Sequence, residues 1–121
     1  MRAFADRQGR VHLFFRAATE RVDRDMYLLS SENRGQSFSG TLLDKWKLNA
    51  CPMSSAALAD GASGLLAAWE THLKRPQPVS PIPAPGATGK RNHPVIATNS
   101  CGETVLVWTE GTGWKKGGSL A

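Results

Sequence analysis

An all-β chain is the fold class that these 121 residues predict. Three observations carry that reading. The apolar runs are short and are bounded by Gly, Asn, Asp and Ser. No long stretch places apolar residues at i, i+3, i+4 and i+7 between helix caps. Twelve Gly and seven Pro disfavour a helix bundle, because both residues weaken helix interiors. At 40% hydrophobic and 21% charged, the chain is too apolar to read as disordered. Its length allows one domain at most.

The strands follow in order. RAFAD at 2–6 and RVHLFFRA at 10–17 flank the turn residues Arg7-Gln8-Gly9. DMYLLSS at 25–31 is a third strand, ended by Glu32-Asn33, and a fourth is placed near 40–46. The stretch 53–59 and the run GLLAAWE at 64–70 flank Asp60-Gly61-Ala62-Ser63. PVIAT at 94–98 and ETVLVWTE at 103–110 flank Asn99-Ser100-Cys101-Gly102. A final strand is read in GGSLA at 117–121. Residues 72–92 hold five of the seven prolines, so they suit a connector or an edge strand and not a central strand. Within them, 78–84 is at best a poor strand.

These strands repeat as hairpins. AFADRQGRVHLFFR at 3–16, ALADGASGLLAAWE at 57–70 and VIATNSCGETVLVWTE at 95–110 share one pattern: strand, polar turn with Gly, strand, aromatic. The closing aromatics Phe15, Trp69 and Trp108 stand 54 and 39 residues apart. That interval is close to a four-stranded propeller blade of roughly 40–50 residues. Hairpins of this kind bury their faces by stacking on neighbours. The expected architecture is a partial β-propeller of antiparallel four-stranded blades: 1–50, then a degenerate blade with its Pro-rich connector at 51–90, then a truncated blade at 91–121. A small β-sandwich is the alternative.

SENRGQSF at 31–38 resembles the Asp-box, or BNR repeat, with Asn33 at the usual Asp position. A short Asx side chain can bond backbone N–H groups in a turn, Gly35 can take positive φ, Ser31 and Ser37 add local bonds, and Phe38 is expected to plug the hairpin. With the hairpin repeat, the box makes the chain similar to the sialidase-like Asp-box propellers. That resemblance implies a six-bladed fold of which 121 residues supply about two and a half blades, so the chain reads as an excerpt of something longer. It also implies structural roles for Ser31, Asn33, Gly35, Ser37 and Phe38, and a ligand funnel on the opposite face. The funnel would be lined by the loops 16–24, 70–74 and 110–116 and by the strand starts 51–54 and 90–93.

Candidate ligand-binding residues on that face are Arg16, Arg24, Glu70, Arg91, Asn92, His93, Glu110 and Trp114. An arginine binds a carboxylate bidentately, and Arg91 stands beside Lys90, Asn92 and His93. His93 precedes Pro94, which predicts an extended backbone. Glu70 and Glu110 follow equivalent tryptophans. Trp114, next to Lys115-Lys116, offers an aromatic face for a sugar. A sialidase also needs a Tyr nucleophile with a Glu partner, unlike most glycosidases. The single tyrosine, Tyr27, lies inside a predicted strand, and the family's opening arginine motif is absent. The expectation is therefore a segment that is non-catalytic alone, with a glycan- or protein-binding face in the intact relative. The alternatives are part of an active exo-sialidase, or a small basic adaptor for acidic partners.

The remaining features exclude more than they identify. A net charge of +5 is scattered and alternates with acids, as in 20–25, whereas nucleic-acid binders gather charge on one face. No nucleic-acid or membrane partner is expected. Cys51 and Cys101 form no metal spacing with His12, His72 or His93. They read as small buried or half-buried thiols, and no metal or other cofactor is implied. The opening MRAFADRQGR shows no export signal, although the resemblance favours export for the intact relative. Open sheet edges are expected to drive self-association.

Overall fold

The computed structural model describes residues 1–50, 56–72, 76–86, 89–113 and 116–121. Among them there is no helix, and every sheet is antiparallel. The first unit is a four-stranded meander of β1 (Arg2–Ala5), β2 (Val11–Arg16), β3 (Met26–Ser31) and β4 (Ser39–Asp44), paired in that order. The second unit is the hairpin β5 (Ala56–Gly61) and β6 (Gly64–Trp69). The third unit pairs β7 (Arg91–Thr98), β8 (Thr104–Glu110) and the short β9 (Ser119–Leu120). No strand forms in 76–86, so the poor strand read at 78–84 is absent. Its prolines remove ladder donors, and other bonds hold the segment, as described below.

The same turn builds the first and third hairpins. Asp6 Oδ1 accepts the backbone N–H groups of Gln8 (3.0 Å) and Arg10 (2.9 Å). Asn99 Oδ1 accepts those of Cys101 (3.0 Å) and Glu103 (2.9 Å). Gly9 and Gly102 follow at the same offset with φ of 79° and 85°, where a Cβ would be strained. An Asx side chain thus replaces a backbone acceptor, which is why both turns carry Asp or Asn. Cys101 lies exposed in the second of these turns, not buried as its composition suggested; Cys51 lies outside the described residues. Burial alone would raise the Asp6 carboxyl. The bonds from His12 (Nε2 at 3.2 Å) and from the Arg10 N–H and guanidinium outweigh it and hold the pKa at about 2.

The box residues close the β3–β4 turn. Ser31 Oγ donates to Asn33 Oδ1 (2.9 Å) and accepts the Gly35 N–H (2.8 Å). Asn33 Oδ1 accepts the Ser37 N–H (2.9 Å), and Asn33 Nδ2 donates to Ser37 Oγ (2.8 Å). The Asx bond therefore reaches four residues on. Arg34 and Gly35 both take positive φ, at 58° and 88°. Phe38 is 40% exposed, so it does not plug the hairpin as expected. It directly precedes β4, and its ring edge lies beside Gly35 of the same turn.

The three units lie side by side along β5. Its neighbours are β1 and β2 on one side and β7 on the other. Arg2 Nε donates to Ala56 O (3.0 Å) at one end of β5. At the other end, Asp60 Oδ2 accepts the Arg7 N–H (3.0 Å) and Asp60 O accepts Thr98 Oγ1–H (2.7 Å). The core forms where the first unit meets the second. Phe14 and Met26 are fully buried with Ala56, and Leu28, Leu43, Leu58, Ala67 and Trp69 pack around them. Strand alternation explains this set. Phe14 pairs with Leu28, Ala56 with Trp69 and Leu58 with Ala67, so each pair stands on one face of its sheet.

Candidate functional site

In an antiparallel meander the β1–β2 and β3–β4 turns fall at one end and the β2–β3 connection at the other. The box turn therefore shares its end with the Asx turns. At the opposite end, the finish of β6 and the start of β7 border a cleft of about 740 Å³. Trp46, Trp69 and Trp108 supply aromatic walls. Glu70, His72, Lys90, Arg91 and Asn92 supply polar groups, and residues 81–84 cover one side. A volume of this size, mostly apolar with a few convergent polar groups, suits a small-molecule or sugar-sized ligand.

Glu70 and Asn92 form the polar centre. The Asn92 amide satisfies its neighbours with its nitrogen toward Glu70 Oε1 (2.7 Å) and its oxygen toward Thr112 Oγ1 (2.7 Å). Burial pushes the Glu70 carboxyl above its usual range, against the opposing pull of His93, Arg16 and Lys90. A carboxyl with a raised native pKa binds its proton more tightly folded than unfolded. Its contribution is therefore full at acid pH and is lost as pH rises through the native pKa. Glu70→Gln is expected to raise stability near neutral pH and to flatten stability against pH above the ordinary carboxylate range. Urea midpoints measured across that range check it; a lower midpoint for the variant at neutral pH contradicts it.

Beside this centre, Arg91 Nε donates to Glu110 Oε1 (3.2 Å) and the guanidinium lies over the Trp108 ring at 5.2 Å. Trp108 Nε1 donates to the same carboxylate oxygen (3.0 Å). That bond is the main reason the Glu110 carboxyl sits below its usual range: burial pulls the other way, and Arg91 adds to the lowering. Arg91 also donates to Ala84 O (2.6 Å) and Pro85 O (2.9 Å), and so ties the Pro-rich segment to β7. Gln77 ties the other end: its Oε1 accepts the Lys45 N–H (2.8 Å) and its Nε2 donates to Lys45 O (3.3 Å). A primary amide here copies the pairing of a strand backbone. The segment read as a bland connector is thus a cleft wall, and glutamine and arginine side chains hold it in place of ladder bonds.

Arg16 points inward. Its side chain is 8% exposed and pairs with Asp44, 1% exposed, at 3.6 Å. It donates to the carbonyls of Arg24 and Glu70 and lies over the Trp46 ring at 4.7 Å. Burial pulls the guanidinium pKa down, opposed by Asp44 and Glu70. Arg24 donates to the carbonyls of Ala50, Asp23 and Glu20 and so fastens the loop after β2. His93 has φ of 55°, not the extended backbone expected before proline. It sits in a β-bulge, since Asn92 pairs with Thr109 and Val95 with Val107, leaving His93 and Pro94 opposite Trp108. Pro94 has no N–H to pair, and the bulge absorbs it. The His93 ring is exposed, with Nδ1 3.1 Å from Thr109 Oγ1.

The structure therefore brings Glu70, Arg91, Asn92 and Glu110 together at the cleft end, with Arg16 behind Glu70. Trp114, the strand start 51–54 and the loop residues 73–75 lie outside the described residues. Tyr27 stacks on Phe15 (5.9 Å between centroids), on the opposite face of the first sheet from Phe14. Asp44, Trp46 and Thr112 were not singled out by sequence; their contacts with Arg16, Asp25 and Asn92 reach 20 or more residues along the chain. Among the described residues, no three His, Cys, Asp or Glu side chains converge as a metal site. Comparison with family models, curated proteins and solved structures finds no match.

Proposed function

We propose that the chain supplies three blade units of an Asp-box propeller, and that the cleft binds a glycan without processing it. The observation that carries this reading is the division of the molecule into two ends. Asx turns and the box turn occupy one end. A cleft walled by indoles and centred on the Glu70–Asn92 pair occupies the other. Indole faces pack on the C–H faces of sugars, and the Lys90 ammonium and the Glu70 carboxyl offer donors and acceptors to hydroxyls. The ordering of inner strands, with β5 between β1 and β7, supports a blade-like arrangement. A catalytic role has less support, because Tyr27 lies on a sheet face away from the cleft.

Calorimetric titration with 3′-sialyllactose and with lactose tests the reading. Saturable binding of at least one of the two, weakened more than about tenfold (roughly 1.4 kcal/mol) by Lys90→Ala or Glu70→Gln, is expected. A fluorogenic sialoside should stay intact. Binding to neither sugar, or binding that both substitutions leave unchanged, contradicts the glycan reading. Clear sialoside turnover contradicts the non-catalytic one.

A further inference from the structure

We infer that Ser30 is an activated nucleophile for short-chain esters, with His12 as its base and Asp6 as the residue that orients the base. The inference does not rest on the glycan reading. Three side chains form one hydrogen-bonded chain. His12 Nδ1 lies 2.9 Å from Ser30 Oγ, and His12 Nε2 lies 3.2 Å from Asp6 Oδ2. Register brings them together. His12 stands opposite Ser30 on β3 and opposite Phe4 on β1, and cross-strand partners share a face. Asp6 directly follows β1, in the turn that leads into β2. Asp6 and His12 are buried, at 7% and 4% exposure, and Ser30 is half-buried. The base and its orienting carboxylate are sheltered from water, while the serine keeps some contact with solvent. The box turn, which starts one residue later, keeps its structural role.

The charge on Asp6 fixes the place of the ring proton. Its carboxyl lies well below the usual range, so it is an anion at neutral pH, and Oδ2 also accepts the Arg10 Nε–H. A carboxylate only accepts, so His12 Nε2 carries the N–H and Nδ1 presents its lone pair. Ser30 then donates its O–H to Nδ1. A serine that gives its proton to an imidazole, itself held by a carboxylate, recurs at acyl-transfer sites on unrelated folds and is recognised by roles, not by sequence position. Ser30 Oγ bonds to the ester carbonyl carbon as its proton passes to His12 Nδ1. The carbonyl re-forms, the bond to the alkoxide breaks, and the alkoxide leaves with that proton as an alcohol. Water repeats the sequence on the acyl-serine: its oxygen bonds to the carbonyl carbon, its proton passes through Nδ1 to Ser30 Oγ, and the carboxylic acid departs. The imidazolium formed in between is held beside the Asp6 carboxylate. His12 shares its face with Phe14, where β1 and β2 pack against β5, and this favours a small acyl group such as acetyl.

A fluorophosphonate probe on the purified chain, read by intact mass and peptide mapping, tests this together with hydrolysis of 4-nitrophenyl acetate. Covalent labelling confined to Ser30 is expected, with ester hydrolysis above the rate in buffer. Ser30→Ala should abolish both. Asp6→Asn separates the chemistry from the fold. Its amide oxygen still accepts the turn N–H groups, as Asn99 does in the third unit. Its Nδ2 donates to His12 Nε2 and moves the ring proton to Nδ1, so Ser30 loses its base. Circular dichroism should stay native while labelling and hydrolysis slow by about 100-fold or more, the usual contribution of a positioned base. If that variant unfolds, His12→Gln carries the same comparison. Native protein that takes no label at Ser30 overturns the inference and leaves the three side chains a structural cluster. Labelling undiminished by Asp6→Asn overturns it too, as does hydrolysis that Ser30→Ala leaves unchanged. Sugar binding at the cleft should be equal in the parent chain and in Ser30→Ala, so each reading can fail without the other.

Discussion

Arg16→Met is expected to destabilise the protein by about 3–5 kcal/mol, the usual cost of removing one partner from a buried ion pair. Arg16 is the hub of three attachments: Asp44, the carbonyl of Arg24 and the carbonyl of Glu70. Its loss leaves the Asp44 carboxylate buried, with no hydrogen bond to either oxygen among the described residues. A domain of this size has a total stability of about 5–15 kcal/mol, so the variant should sit close to unfolding at room temperature. Urea denaturation measures it. The double variant Arg16→Met with Asp44→Leu should be more stable than Arg16→Met alone, because the uncompensated charge is gone. Arg16→Lys should rescue little, since an ammonium lacks the planar fork that reaches two carbonyls at once. A cost below about 1 kcal/mol for Arg16→Met would show a solvated pair and remove Arg16 from the scaffold behind Glu70.

Phe14→Ala should cost a similar amount, about 3–5 kcal/mol, from the lost transfer free energy and the cavity left behind. Phe14 is fully buried, and its ring meets the Trp69 edge. The substitution tests the contact between the first and second units, not only the first sheet. A double-mutant cycle with Trp69→Ala should give a coupling of about 0.5–1.5 kcal/mol, the range for aromatic pairs. Additive effects would mean that the two units do not share a core.

Local features of the fold were readable because each depends on neighbouring residues. The strand runs, the turn at 99–102 and the Ser31–Ser37 turn use contacts within about five positions; Asp6, read as the end of a strand, is instead the acceptor residue of its turn. Where a local rule met a tertiary demand, the rule lost. His93 should be extended before Pro94, yet the missing proline N–H is accommodated by a bulge that drives His93 to positive φ. Phe38 follows the box pattern but lies beside Gly35 at the turn and stays 40% exposed. The cleft was readable only in part. Glu70 and Glu110 were singled out from the hairpin repeat, and Arg91 and Asn92 from the strand start that the Asp-box resemblance places on the funnel face; the structure sets all four near the cleft end. The Arg16–Asp44 pair depends on register: both residues stand beside Met26, one on β2 and one on β4. Nothing in their spacing marks them as partners. The Pro-rich wall is set by Gln77 and Arg91 side chains, which carry no periodic signal.

We propose ligand recognition at the cleft end and a structural role for the box turn at the other. Amide chemical-shift mapping during a 3′-sialyllactose titration tests it most directly. Shifts are expected at Glu70, Arg91, Asn92 and Thr112 and at the Trp108 indole, with Asn33, Gly35 and Ser37 unmoved. Shifts concentrated at 31–37, with the cleft residues silent, would contradict it.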